Sequence, residues 1–401
     1  MMKRFAWILG IFLWSCTDYE VPSTYGLSVT VKYPAEFSQG GIIPGAEVKV
    51  TNAQTGRVYT AVTGNDGTAA FQVRGGNYNI VVSVSEKREI EIEGYPVEKN
   101  VLFSGALNGK LIIEDGNSFN LNLGYTIENE GFVIKELYTS GCRTPELKSY
   151  QADKFFEIYN NTDKTLYADG LCFGVVHPTT TDKPSPWVDA NGKMLDRIPL
   201  WSFVAIVPGS GEEHPIAPGT SFVVALSGLN HRDDPKGNPN SIDLSMAAWE
   251  MYVEDGMYVD VPSVPNILMQ RITAGTAMIF DVRGQVCILF RLPSDDLQAV
   301  FTDQNNYMVQ PGGTFRCFMV PFGWVIDGVE NARLSDLGVY KRLPDMIDVG
   351  YIQHRGSGEK VSIRRKVLRV ENGRTIYKDT NNSSEDFLTN QDPAPGVIAK
   401  E

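Results

Sequence analysis

The chain reads as all-β: two β-sandwich domains in series, the second with long loop insertions. Short apolar/polar alternating runs from residue 26 to 125, separated by Gly, Asn and Asp turns, give the first domain. The pattern fades in an Asn- and Gly-rich stretch, residues 105–131, and then restarts, which gives the second. The composition agrees: 401 residues, 42% hydrophobic and only 21% charged, supply material for packed cores. That length exceeds one ordinary domain of about 100–200 residues.

In the first domain Leu27, Val29 and Val31 alternate with polar residues, as do Val48 and Val50. The runs Val58-Tyr59-Thr60-Ala61-Val62, Ala70-Phe71-Gln72-Val73 and Tyr78-Asn79-Ile80-Val81-Val82 follow. Pro44-Gly45, Gln54-Thr55-Gly56, Asn65-Asp66-Gly67 and Gly75-Gly76-Asn77 supply the positive φ angles that tight hairpins need. The order Pro-Gly-Ala-x-Val-x-Val, Thr-x-Asn-Asp-Gly-x-Ala-x-Phe, Gly-Asn-Tyr-x-Ile resembles the carboxypeptidase-regulatory-like, transthyretin-like domain. The resemblance implies a spacer or docking module rather than a catalyst.

The second domain, residues 131–398, opens with Phe132-Val133-Ile134-Lys135-Glu136-Leu137-Tyr138. Phe155-Phe156-Glu157-Ile158-Tyr159-Asn160 and Leu166-Tyr167-Ala168-Asp169-Gly170-Leu171-Cys172 come next. With Ala217-Pro218-Gly219-Thr220-Ser221-Phe222-Val223-Val224-Ala225 and the late Ser362-Ile363-Arg364-Arg365 this order resembles the lamin-tail-like immunoglobulin fold. The whole chain resembles an uncharacterised family of two-domain surface lipoproteins of Gram-negative gut and oral anaerobes. Within such a fold Glu157 and Asn160 are expected to bond backbone groups at a strand end. Two insertions, 179–213 and 228–270, interrupt the pattern, and a short helix is expected over 244–250. Loops of this length tend to carry function.

The amino terminus gives an address. Met1-Met2-Lys3-Arg4 is basic, Phe5 to Trp14 is apolar with one glycine, and Leu13-Trp14-Ser15-Cys16 follows. The apolar run is too short to cross a bilayer and reads as a signal h-region, residues 1–15. Its ending resembles a bacterial lipobox, which implies lipid on Cys16 and an acidic tether over 16–25. A cleaved, non-lipid secretory signal is the alternative. The expected location is the outer membrane, lipid-anchored and facing outward. A net charge of −12 opposes binding to phosphate backbones, so nucleic acid is not an expected partner. The run Arg364-Arg365-Lys366 reads as a solvated strand face.

The chemistry of sites is thin. There is no Gly-x-Ser-x-Gly elbow, His-Glu-x-x-His helix, phosphate loop or dinucleotide fingerprint, and no cofactor is implied. Cys142, Cys172, Cys287 and Cys317 lack the close spacing of a zinc or redox motif; disulfides and buried free thiols both remain open. His231 beside Asp233, Asp234 and Asp243 reads either as a solvated loop or as a metal-ligand cluster. Trp187, Trp201, Trp249, Tyr252 and Tyr258 could pack on the core or stack on a sugar or other planar ligand. Three functions follow. The first is a non-catalytic binding protein, which the resemblance places beside a TonB-dependent receptor in nutrient or metal uptake. The others are an adhesin or structural surface protein that binds protein or glycan, and a hydrolase with its site in the insertions.

Overall fold

The computed structural model describes residues 24–34, 37, 41–92, 95–127, 131–275, 277–278, 280–281, 284–292, 296–334 and 339–400. Cys16 and residues 1–15, the expected leader, lie outside them. Strands dominate, and the fold is all-β in sandwich layers.

The amino-terminal strands form a three-stranded sheet (Thr68–Arg74, Thr24–Lys32, Asn117–Asn122) facing a five-stranded one. The latter runs Val58–Val62, Glu47–Asn52, Gly76–Ile92, Tyr95–Ile112, Gly124–Ile127. Alternation is what buries one face: Leu27, Val29 and Val31 from the first sheet meet Val48, Val50, Ile80 and Val82 from the second in one apolar cluster. The Asn-Asp-Gly hairpin closes as its residues dictate, with Gly67 at φ +70° and the Thr68 N–H donating to Asp66 Oδ1 at 3.0 Å.

From Phe132 onward a second pair of sheets packs face to face. The six-stranded sheet runs Trp249–Glu250, Ser221–Ala225, Phe155–Asn160, Phe132–Tyr138, Ser362–Arg365, Phe387–Gln391. The seven-stranded sheet runs Tyr307–Val309, Arg316–Pro321, Arg197–Ile206, Leu171–Val176, Cys287–Arg291, Val325–Val329, with Leu268–Arg271 also paired to Arg197–Ile206. Phe156 and Phe173 stack between them with ring centroids 3.8 Å apart. Strands 132–138, 155–160 and 171–176 are buried at every position, so the alternation seen in the first domain is lost here.

The cause is a second layer on each sheet. Helix Leu297–Thr302 contributes Val300 and Phe301, which with Leu343 cover Ile198, Leu200, Phe290 and Phe318 on the outer face of the seven-stranded sheet. Ile242, Leu244, Ala247 and Val264 cover Tyr138, Phe155 and Val223 on the outer face of the six-stranded one.

Several expectations change in consequence. Segment 228–270 is a covering layer rather than a free loop, since Trp249, Met251 and Ile267 also enter the central core. Of 179–213, residues Arg197–Ile206 are a ten-residue strand inside a sheet; Pro199 and the polar Ser202 mask its pattern. Residues 244–250 form no helix. Asp243 Oδ1 accepts the Ser245 N–H and hydroxyl in an Asx turn, and Ala248 N donates to Val223 O, so the chain turns and joins the sheet edge. Arg365 is buried at 3% exposure, not solvated, and pairs with Asp327 and Asp379.

Asn160 does bond backbone at a strand end, donating to Lys164 O and Ile216 O at 2.7 and 2.8 Å. Glu157 accepts one backbone N–H, from Gly396, alongside the Lys135 ammonium at 2.7 Å and the Ser221 hydroxyl. The four described cysteines are free and buried.

Candidate functional site

His231 is fully buried and its ring is committed on both sides. Nε2 lies 3.0 Å from Ser227 O, a carbonyl that only accepts, so Nε2 carries the proton and Nδ1 accepts from the Tyr150 hydroxyl at 2.7 Å. Burial holds the imidazole below its usual pKa, in the neutral form.

The three neighbouring acids serve local turns instead of converging on the ring. Asp233 Oδ2 accepts from Asn230 Nδ2 at 2.9 Å, Asp234 Oδ1 from Lys236 N at 2.8 Å, and Asp243 Oδ1 from Ser245. No group of three ligand atoms forms from this set among the described residues.

Close to His231 the fold does gather a thiol and a buried carboxylate. Asp153 Oδ2 accepts the Ser241 hydroxyl at 2.6 Å and lies 3.2 Å from Cys142 Sγ. Burial, reinforced by the Asp153 charge, pushes the thiol up to about 12, the reverse of what a nucleophilic cysteine needs. The arrangement is a polar brace under segment 228–270.

The aromatic candidates divide. Trp187 is 2% exposed and donates from Nε1 to His177 Nδ1 at 3.2 Å. Burial, and then the Arg342 charge, lower the His177 pKa to about 4, leaving that imidazole a neutral packing group. Trp249 lies edge-on to Phe222 at 5.3 Å and to His214 at 5.2 Å, inside the core boundary. Trp201 is half-buried on its strand against the core. Tyr258, like Trp201, is half-buried against that core, and Tyr252 is half-buried on the covering segment.

Beside these two tyrosines stand residues that sequence reasoning passed over: Met257 at 63% and Val259 at 67% exposure. Their loop is fixed from below. The buried Glu250 carboxylate accepts Gly228 N at 2.7 Å and Val261 N at 2.5 Å, and Ser227 Oγ donates to Val259 O at 3.2 Å. Tyr258 is packed well enough that burial pushes its hydroxyl up to about 12. The result is a short apolar projection on an ordered base.

A second constellation was also missed. Strand pair Leu166–Tyr167 and Pro215–Ile216 brings loop 208–214 against residues 168–170, with Ala168 N bonded to His214 O and Gly170 N to Val207 O. The Asp169 carboxylate fills the loop, accepting Glu213 N at 3.0 Å and His214 N at 2.9 Å. A Cβ on Gly209 would stand 1.8 Å from Asp169 Oδ1, so only glycine admits it. Burial alone would raise this carboxyl; the N–H groups of His214 and Glu213 outweigh it and hold it below the usual range. Ligand atoms of Asp169, Glu213 and His214 lie within 4.8 Å of one another. Glu212-Glu213-His214 was the visible half of the signal; Asp169, more than forty residues earlier, was not.

A cleft of about 590 Å³ elsewhere is lined by Asp163, Gly219, Glu371, Gly373 and Arg374, charged and turn residues without the apolar walls of a typical small-molecule pocket.

With this geometry in place, comparison with known proteins gives one family match. Residues 217–394 match a family model described as a protein of unknown function, DUF4876. The match takes in the covering segment with Tyr252, Met257, Tyr258 and Val259, and leaves Asp169, Glu213 and His214 outside. A crystal structure of a DUF4876 family protein from Bacteroides thetaiotaomicron shares the fold, with a TM-score of 0.60 and 23% identity over 94% of this chain and 98% of that one. Two further structures are only remotely similar. A proposed carbohydrate-binding protein from Pseudomonas aeruginosa gives a TM-score of 0.20 and 11% identity over 25% of this chain and 89% of that one. A proposed adhesin from Bacteroides ovatus gives 0.18 and 12% over 73% and 85%. No curated protein matches the chain.

Proposed function

We propose that this is a non-catalytic binding protein, anchored by lipid on Cys16 to the outer membrane and facing outward, that works through contact with a second protein such as a TonB-dependent receptor. The observation that carries the reading is the pair Met257 and Val259, large apolar side chains more than half exposed on a loop whose base is stapled by Glu250. Exposed apolar groups are informative when they cluster on a surface the fold keeps ordered, because a pre-formed patch loses little entropy on binding. Neutral, doubly bonded His231 and the raised Cys142 thiol support a binder over a hydrolase.

Met257→Glu with Val259→Glu should leave stability within about 0.5 kcal/mol, as surface changes do. Partner binding should fall on the order of tenfold or more, the loss of a central apolar contact. Retained affinity in pull-downs from native membranes, with an unchanged melt, would place recognition elsewhere. Cys16→Ala tests the anchor separately: the variant should leave the membrane on a carbonate wash, since acyl chains contribute about 0.8 kcal/mol per buried methylene.

A further inference from the structure

We propose that Asp169, Glu213 and His214 form a binding site for a divalent first-row transition ion, with zinc the leading candidate. The inference goes beyond the binding reading above and uses a different part of the domain.

The donor set is one imidazole and two carboxylates with no thiolate, which suits zinc or manganese and is poor for copper(I). Around an ion with bonds of about 2.0–2.2 Å, tetrahedral ligand atoms stand roughly 3.4 Å apart. The three atoms here already lie within 4.8 Å of one another, so modest rotations of two side chains close the shell. Those two are the ones able to rotate: Glu213 is exposed and His214 half-exposed, whereas Asp169 is fixed at 5% exposure.

His214 differs from His231 and His177. His231 has both ring nitrogens bonded and His177 has Nδ1 bonded to Trp187, while neither His214 nitrogen makes a hydrogen bond among the described residues. Its ring is instead steadied edge-on by Trp249. Asp169 has a double role. Its oxygens accept the backbone N–H groups of the two residues whose side chains would complete the shell, so the carboxylate both orients the loop and offers a ligand, the outer-shell bonding that metal carboxylates require. Glu213 is oriented through Oε1 by the Ser210 hydroxyl at 2.7 Å. Arg291 donates to the carbonyls of Asp169 and Tyr167 and interacts with the Asp169 charge; against its one positive charge the Asp169 and Glu213 carboxylates still leave the set net negative. Three protein ligands leave a position for water or for a ligand from a partner.

The test is titration of the full chain, without a polyhistidine tag, with zinc chloride and separately with cobalt chloride. Calorimetry should show one zinc equivalent, and cobalt should quench Trp249, identified by loss of that component in Trp249→Phe. His214→Ala should weaken zinc binding at least about 100-fold and Glu213→Gln about tenfold, with the metal-free melting temperature unchanged. Asp169 is left intact because its removal would free the loop. Wild-type protein that takes up no zinc in calorimetry, or zinc binding and cobalt quenching that survive His214→Ala, would overturn the assignment.

Discussion

Arg365→Met should cost about 3–5 kcal/mol of folding stability, the penalty for removing one partner of a buried ion pair and leaving the others uncompensated. The guanidinium is 3% exposed and pairs with Asp327 and, at 3.1 Å, with Asp379; Asp386 stands 3.9 Å away. It also donates to Ile134 O at 2.9 Å and Lys378 O at 3.0 Å, and lies 4.5 Å over the Phe387 ring. Strands from three parts of the chain therefore meet at one cation. Burial raises the Asp327 and Asp386 carboxyls even with Arg365 present. Without it they would rise further, so the loss should be larger at pH 8 than at pH 5. Urea unfolding at both values checks this, and Arg364→Met, on a half-exposed neighbour, is the control, expected to cost under about 0.5 kcal/mol. Equal, small losses from both variants would show that the hub does not hold the strands.

The second large effect belongs to Glu330. Its carboxylate is fully buried and accepts Arg342 N at 3.0 Å and Leu343 N at 2.7 Å, pinning the loop that lays Leu343 on the outer core. Burial, partly offset by Lys341, raises its pKa from 4.5 to about 7. A carboxyl raised on folding gives stability that is complete below the unfolded pKa and lost as pH climbs through the folded one. Between pH 4.5 and 8 the wild type should therefore lose about 3 kcal/mol that Glu330→Gln does not lose. Denaturant midpoints of the two proteins should converge or cross as pH rises; parallel curves would mean that Glu330 titrates normally. His177 and His231, both lowered by burial, act with the opposite sign on the acid side, which is why the difference between the two proteins is the proper readout.

The sequence was legible where one face of a strand meets water. Leu27, Val29 and Val31 alternate in the chain and are buried in the fold, and Asn65-Asp66-Gly67 turns as its residues require. Legibility failed where both faces are covered. Phe155 to Asn160 shows no period because its outer side is covered as well, Phe155 by segment 228–270 and Tyr159 by Tyr377, and that segment looked like a loop with one short helix because its apolar residues Ile242, Leu244, Ala247 and Val264 sustain neither a helical nor a strand period along its length. Replacing 228–270 by a short turn would strip that layer and uncover the core, so substitutions at its surface are the sound experiment.

Sites failed for a different reason. His231 sits near three acids in sequence, but its partner is Tyr150, eighty-one residues earlier. Asp169 joins Glu213 and His214 only through the pairing of Leu166–Tyr167 with Pro215–Ile216. Arg365 looked solvated because charge is usually exposed; its burial follows from acids supplied by residues 327, 379 and 386, which local reading cannot collect.

The central claim is that an anchored protein meets its partner through the apolar projection at Met257 and Val259. The most direct measurement places a photo-crosslinking residue at position 257 in intact cells, with position 58 on an exposed edge strand of the amino-terminal sandwich as comparison. The account predicts a discrete membrane-protein adduct from 257, lost when Val259→Glu is added, and none from 58. An adduct from 58 with none from 257 would contradict it and assign recognition to the amino-terminal sandwich.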